Sequence, residues 1–246
     1  MCVLAFAWRA HPRWQWVLAG NRDELHARPA SALHRWPEAP HVLAGKDMQS
    51  GGTWLGVSEQ GRFAVVTNLS GYGPPLAGRP SRGDLVKDFL LDEGRFAALT
   101  QADAAAFNPF NLILATPERA TLWRNRPRVE ARDLTAGVHG LSNGDADQPW
   151  PKTLRLMDAM TNWLGGTSPP QVLLDRLGDD VPPPGAAAMT ERGARTGVFV
   201  HNGLYGTRCS TVAALDAQGR GVMVERRFDA EGGRTGETEL AFDWPG

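Results

Sequence analysis

A cysteine directly behind the initiator methionine, and the polar run Asn21-Arg22-Asp23-Glu24, hold the clearest chemistry in this chain. Cys2 supplies a thiol. If Met1 is removed, the same residue also carries a free α-amine. Such amines titrate near about 7.7–8.0, well placed to accept a proton from an ordinary thiol of about 8.5. A side-chain nucleophile served by an N-terminal amine is a known activation device. A guanidinium such as Arg22 favours a thiolate, and a carboxylate such as Asp23 can orient the amine. The plainer alternative is a small buried Cys2 and, at Asn21–Glu24, a turn with a surface ion pair.

A β-hairpin would bring these groups together. Val3–Trp8 has strand composition, His11-Pro12-Arg13 is a polar turn, and Gln15–Ala19 reads as the returning strand. Cys2, at the open end of the first strand, should then lie beside Asn21–Glu24, where the second strand stops. Asn68 with its following loop, Asn143, and Tyr205-Gly206-Thr207-Arg208-Cys209-Ser210-Thr211 place further polar groups at strand or loop ends. An asparagine amide can donate to a developing oxyanion, a role worth about 2.7–4 kcal/mol per donor. Arg208 can hold a carboxylate or phosphate bidentately. Taken singly, each Asn also fits a turn, and Arg208 a surface charge.

The rest of the chain reads as strands and helices in separate blocks. His26–Pro40 is expected to be loop, since Arg28-Pro29 disfavours helix. Thr53–Ser58 and Arg62–Asn68 form a strand pair turning at Gln60-Gly61. Gly71–Pro80 is a Pro/Gly-rich loop of the kind that often acts as a lid. Ser81 caps a helix bearing Leu85, Val86, Phe89 and Leu90, and a second helix is expected over Arg95–Ala106. Phe110–Ala115, Ala120–Arg124 and Val138–Ser142 read as strands. Trp150–Leu164 is a helix with an apolar stripe of Leu154, Met157, Met160 and Leu164, stopped by Gly165-Gly166. Pro169–Leu177 is helical, and Val181–Ala188 is loop. Gly197–His201, Arg208–Leu215, Val222–Phe228 and Glu237–Phe242 close the chain as strands. Segregated blocks of this kind indicate α+β rather than a doubly wound parallel sheet.

Composition narrows the function. The 246 residues are 42% hydrophobic, enough for a real core, and the net charge of -1 offers no field for nucleic acid. No apolar run reaches the roughly 18–20 residues of a transmembrane segment, and the N-terminus lacks secretory-signal character. Cys2 and Cys209 are the two cysteines, and without a secretion signal they are expected to be reduced, in a cytoplasmic protein.

Ten ordered landmarks resemble the NRDE family, also called the transport and Golgi organisation 2 family. They are Met1-Cys2, Asn21-Arg22-Asp23-Glu24, Arg28-Pro29, Gly51-Gly52-Thr53-Trp54-Leu55-Gly56, Thr67-Asn68, Arg82-Gly83, Phe110-Asn111-Leu112-Ile113, Gly140-Leu141-Ser142-Asn143, Pro149-Trp150 and Tyr205-Gly206-Thr207-Arg208. The family is similar in turn to the N-terminal nucleophile (Ntn) hydrolases of the penicillin V acylase and bile-salt hydrolase type. That resemblance implies a single domain over 1–246, a four-layer αββα sandwich of two mainly antiparallel sheets. It implies Cys2 as nucleophile, Arg22 and Asp23 beside it, Asn143 in the oxyanion hole and Arg208 as a late active-site arginine. The adjacency of Arg22 and Asp23 departs from the acylases, where intervening residues separate the two. Asn21, Glu24, Thr67 and Asn68 are the accompanying ligand-binding candidates.

The resemblance implies three activities: hydrolysis of an amide or thioester, haem trafficking, and acyl-coenzyme A or lipid binding. No cofactor is required for the first, no metal site is expected, and haem enters only as a possible ligand. The histidines show no ligand spacing and there is no Cys-x-x-Cys-His. Arg79, Arg82 and Lys87 can meet the phosphates of a coenzyme, or equally form a solvated helix face.

Overall fold

A computed structural model describes residues 2–184 and 196–245. Met1 and the 185–188 part of the expected Val181–Ala188 loop lie outside the described residues. The chain folds as two compact units, one built from 1–27 and 135–242, the other from 28–134 with 243–246.

The first unit holds a six-stranded antiparallel sheet. Its strands are Val3–His11 (β1), Trp14–Leu25 (β2), Gly137–Leu141 (β10), Tyr205–Asp216 (β11), Arg220–Phe228 (β12) and Arg234–Asp243 (β13), in the order β10-β1-β2-β11-β12-β13. The predicted hairpin is present but longer than expected. β2 does not stop before Asn21; it continues through the polar run. The reason is position. β2 is paired with β1 as far as Asn21 and with β11 through Leu25, so backbone groups that would be solvated at an isolated strand end find partners in the sheet.

One face of this sheet is packed by helices. Val3, Ala5, Ala7, Val17, Ala19, Val212, Ala214 and Val224 meet Leu156, Met160 and Leu164 of Pro151–Leu164 (α3), and Leu173, Leu174 and Leu177 of Leu173–Leu177 (α4). The alternation of strand positions is the period-2 pattern of one buried face. The expected α3 stripe holds at Met157, Met160 and Leu164 but not at Leu154. Leu154 is exposed, while Lys152, Thr153, Leu156, Met160 and Leu164 are buried. The expected strand at Gly197–His201 is absent: Phe199 N–H donates to the Asp179 carbonyl and Val200 N–H to Thr207 Oγ1.

The second unit holds a seven-stranded antiparallel sheet in sequential order. It comprises Ala30–Trp36 (β3), Ala39–Asp47 (β4), Leu55–Ser58 (β5), Arg62–Asn68 (β6), Phe110–Ala115 (β7), Ala120–Arg124 (β8) and Glu130–Asp133 (β9). Arg82–Leu91 (α1) starts at Ser81, whose side chain accepts from Gly83 N–H as expected of a cap. It packs Leu85, Val86, Phe89 and Leu90 into a core with Val42, Ala64, Phe107, Phe110 and Leu112. Two expectations fail here. His26–Pro40 is not loop but carries all of β3 and the start of β4, with Trp36 and Ala39 paired across Pro37-Glu38. β3 is an edge strand, and prolines near a sheet edge or a hairpin turn interrupt no central ladder. The helix expected over Arg95–Ala106 is only Gln101–Ala105 (α2).

Candidate active site

Register alone brings the first group of side chains together. β1 pairs Val3 with Asn21 of β2 on one side and Leu4 with Leu141 of β10 on the other. One residue beyond the first pair and two beyond the second, Cys2 lies level with Arg22 and with Asn143. The structure closes one of these approaches: Cys2 N–H donates to Asn143 Oδ1 at 2.6 Å. Asn143 is buried, and so are Asn21, Arg22 and Asp23. The polar run is therefore an interior feature of the sheet, not a surface turn.

Because strand side chains alternate, the run is split between two faces. Asn21 shares the helix-covered face with Ala19. Its Nδ2 donates to the carbonyls of Leu177 at 2.9 Å and Val198 at 3.0 Å, and its Oδ1 accepts from Ser210 Oγ at 2.7 Å. It ties the sheet to α4 and to the segment after it, and its bonds are structural. Asp23 follows on the same face. Its Oδ1 accepts from Thr207 Oγ1 at 2.7 Å, and its backbone carbonyl accepts from Tyr205 Oη at 2.8 Å. Burial pushes the Asp23 carboxyl above its ordinary range, with Lys152, Thr207 and Arg22 acting in the opposite direction.

Arg22 points to the other face, where it is paired in register with Cys209, which in turn pairs with Arg227 of β12. Glu225 lies on this face and is buried, with Oε1 3.6 Å from Arg227 Nη1. Burial pushes the Cys209 thiol well up, Glu225 adds to the rise, and Arg22 lowers it. The two thiols are not bonded to each other; both are free.

Two residues near this site were missed from the sequence. Lys152, in the first turn of α3, is fully buried, and its Nζ donates to Thr196 Oγ1 at 3.1 Å. Glu225 sits mid-strand, directly after the apolar run Val222-Met223-Val224 and before Arg226-Arg227. For Glu225 the signal is a charge closing an apolar strand run at an inward-facing position; for Lys152 it is a cation in a helix's first turn, next to Trp150 and Pro151.

The other candidates fall elsewhere. Arg208 occupies the bulge where Thr207 pairs with Asp23 and Cys209 with Arg22. Its Nη1 donates to the His26 carbonyl and, at 3.4 Å, to that of Leu25. Glu24 accepts from Leu25 N–H at 2.8 Å. Thr67 and Asn68 end β6 in the second unit, where Thr67 Oγ1 accepts from Asn111 Nδ2 at 3.4 Å. The phosphate candidates are engaged locally: Arg79 on the Ala106 carbonyl, Arg82 on the Pro109 carbonyl, and Lys87 on Asp84. Among the described residues, no group of three or more His, Cys, Asp or Glu is placed to hold a metal ion, and no helix is long and apolar enough to cross a membrane.

Residues 1–230 match the family described as Transport and Golgi organisation 2. The chain is 33% identical to the Transport and Golgi organization protein 2 homolog of Bos taurus, covering 92% of each chain. It is 30% identical to the Homo sapiens homolog, again over 92% of each. Among solved structures it is similar to a Caenorhabditis elegans ortholog of N-acylethanolamine-hydrolyzing acid amidase, with a TM-score of 0.53 and 12% identity over 86% of this chain and 92% of that one. It is also similar to a mutant conjugated bile acid hydrolase from Clostridium perfringens, with a TM-score of 0.52 and 11% identity over 98% of this chain and 92% of the other. These likenesses show the fold: the α+β Ntn-hydrolase class of two mainly antiparallel sheets that the sequence led one to expect.

Proposed function

For a chain that belongs to the transport and Golgi organisation 2 family and carries an Ntn-hydrolase fold, we propose a hydrolase of an amide or thioester with Cys2 as its N-terminal nucleophile. The observation that carries this reading is the hydrogen bond from Cys2 N to Asn143 Oδ1, with buried Arg22 level with the same residue. Both fold neighbours are named for hydrolysis, one of N-acylethanolamines and one of conjugated bile acids.

In the proposed cycle, loss of Met1 frees the Cys2 amine. One of its N–H groups stays on Asn143, which leaves the lone pair to take the thiol proton. Cys2 Sγ forms a bond to the acyl carbon. The amine then returns the proton to the leaving nitrogen or sulfur as that bond breaks, leaving a thioester on Cys2. Water, deprotonated by the same amine, attacks the thioester, releases the acid and restores the thiol. Asn143 donates through Nδ2 to the oxyanion of each tetrahedral intermediate, and Arg22 favours the thiolate.

The test is an intact mass of untagged protein before and after a thiol-reactive acyl probe, with the labelled peptide mapped, followed by turnover of an amide and thioester panel. Loss of Met1, fast labelling confined to Cys2, and turnover abolished in a folded Cys2→Ala variant are expected. A retained Met1, a Cys2 no more reactive than Cys209, or unchanged turnover in that variant would overturn the reading.

A further inference from the structure

Asp23 meets Thr207 because β11 carries an extra residue. Thr207 pairs with Asp23 and Cys209 with Arg22, so Arg208 is the additional residue of a bulge. In a regular ladder continued from the Cys209–Arg22 pair, Arg208 would stand opposite Asp23 and Thr207 opposite Glu24. The bulge shifts the register by one residue and delivers a hydroxyl to the carboxylate in place of a guanidinium. Bulges re-aim side chains in this way beside functional sites. The bond that results is short: Thr207 Oγ1 donates to Asp23 Oδ1 at 2.7 Å, and both residues are buried.

A second bond fixes the direction of the first. A hydroxyl carries a single hydrogen. Val200 N–H donates to Thr207 Oγ1 at 2.9 Å, while Thr207 N–H donates to the Val200 carbonyl at 2.8 Å. The Val200 N–H can only give, so the Thr207 hydrogen goes to Asp23. A protonated Asp23 donating the other way would leave that hydrogen without an acceptor among the described residues. The Val200 segment lies close against β11: a Cβ on Gly206 would be 2.7 Å from the Val200 carbonyl oxygen. Tyr205 Oη donates to the Asp23 backbone carbonyl at 2.8 Å. β11 thus grips Asp23 twice, on the main chain and on the carboxylate.

Other groups also act on Asp23. Of those that favour its ionised form against burial, the amino terminus of the chain comes first, then Lys152 of α3, Thr207, and Arg22 of β2. Thr207 differs from the others in kind: it is neutral, and adds direction rather than charge. Asn21 pairs with Val3, so Asp23 lies level with the residue before Cys2, where the amine of a processed chain emerges. We propose that Thr207 is a positioning residue of the Cys2 site: its hydroxyl, aimed by Val200, holds the Asp23 carboxylate in place for the amine of Cys2. This rests on the hydrolase reading for its purpose but not for its geometry. A hydrogen bond given to a buried carboxylate favours the charged form and stops it from turning, and an amine is oriented only by an anion held still. Thr207 touches no reacting atom in this scheme; it acts through Asp23.

The test uses the full chain with Thr207→Val, Thr207→Ser, Tyr205→Phe, Asp23→Asn, and Thr207→Val combined with Asp23→Asn. Two quantities are read: the iodoacetamide alkylation rate of Cys2 at pH 7.5 by peptide mapping, and thermal stability from pH 4 to 8. Alkylation should slow about tenfold in Thr207→Val and stay within about twofold of wild type in Thr207→Ser and Tyr205→Phe. Adding Thr207→Val to Asp23→Asn should slow it no further. Burial already raises the Asp23 carboxyl, and loss of the Thr207 bond raises it more. A carboxyl raised in the folded state contributes stability that is present at low pH and lost as pH climbs through the folded value. The deficit of Thr207→Val against wild type should therefore widen from pH 4 to 8, and Asp23→Asn should remove that widening. Tyr205→Phe loses only a main-chain partner and should be weakened equally at every pH. A pH-independent deficit in Thr207→Val, alkylation effects that multiply, a Thr207→Ser that behaves as Thr207→Val, or an equal alkylation loss in Tyr205→Phe would overturn the proposal. If Thr207→Val does not fold at pH 7.5, recovery by Asp23→Asn supports it and failure to recover overturns it. If wild-type Cys2 is itself no faster than a free cysteine, the hydrolase reading falls, while the stability arm still decides whether Thr207 holds Asp23 as an anion.

Discussion

Cys2 and Cys209 lie level with the same arginine, one on either side of β2, yet their surroundings differ in every respect that governs a thiol. Cys2 is only partly buried, at the open end of a strand, with its backbone nitrogen on Asn143. Cys209 is in mid-strand, fully paired on both edges, buried, and next to the carboxylate of Glu225. Both have Arg22 as a neighbour in register, so the guanidinium by itself does not make a nucleophile. Access and the company of an amine and amide distinguish the first thiol; burial and a like charge hold the second in its neutral form.

That contrast can be broken at three points. The largest effect is expected from Asn143→Ala. It removes the acceptor on the Cys2 nitrogen and the proposed oxyanion donor, and should lower turnover by about 10²–10³, while Cys209 alkylation in the folded protein stays unchanged. Equal effects on the two thiols would show that Asn143 merely supports the sheet. Asn21→Ala comes next and should act on the scaffold alone. It leaves the Leu177 and Val198 carbonyls and the Ser210 hydroxyl without their buried partner, a loss of about 2–4 kcal/mol in urea unfolding. The ratio of Cys2 to Cys209 alkylation in the remaining folded protein should hold. A changed ratio would move Asn21 from scaffold to chemistry.

Glu225→Gln is the gentlest. A carboxylate beside a thiolate raises the thiol, so removing it should bring Cys209 back toward the ordinary range, readable from the pH dependence of its Cβ chemical shift. The sign for stability follows. A thiol raised in the folded state contributes stability that is present below its unfolded value, about 8.5, and lost as pH climbs through the folded one. Wild type should therefore weaken at alkaline pH, and Glu225→Gln should weaken less. A Cys209 titration unmoved by the substitution would leave burial as the sole cause.

Much of the scaffold was legible in the sequence. Ser81 before an apolar helical pattern, the β5–β6 turn at Gln60-Gly61, and the runs Phe110–Ala115 and Ala120–Arg124 all carry local signals that the fold obeys. The failures share one cause: local cues were overruled by neighbours. Prolines around β3 and β4 suggested loop, but an edge strand and a hairpin turn accommodate them. The Leu/Met spacing of α3 suggested one stripe. Met157, Met160 and Leu164 obey it, but in the first turn the buried side accepts Lys152 and Thr153 and leaves Leu154 in solvent. Asn21–Glu24 suggested a strand end, but pairing with β11 carries the strand through.

The sequence by itself determined the ingredients: a thiol next to the chain start, a hairpin that returns polar residues to it, two later asparagine and arginine segments, and an α+β order of elements. Those follow from composition and short-range patterning, which act over a few residues. Tertiary structure alone decided which ingredients share a site. Strand alternation sends Asn21 and Asp23 to one face and Arg22 to the other. Register across β10, β1 and β2 sets Asn143 and Arg22 on either side of Cys2. Helix docking buries Lys152 in the first turn of α3. The hairpin pairing of β1 with β2 is local, but the pairings of β10 with β1 and of β11 with β2 join residues more than a hundred positions apart, and no local propensity encodes them.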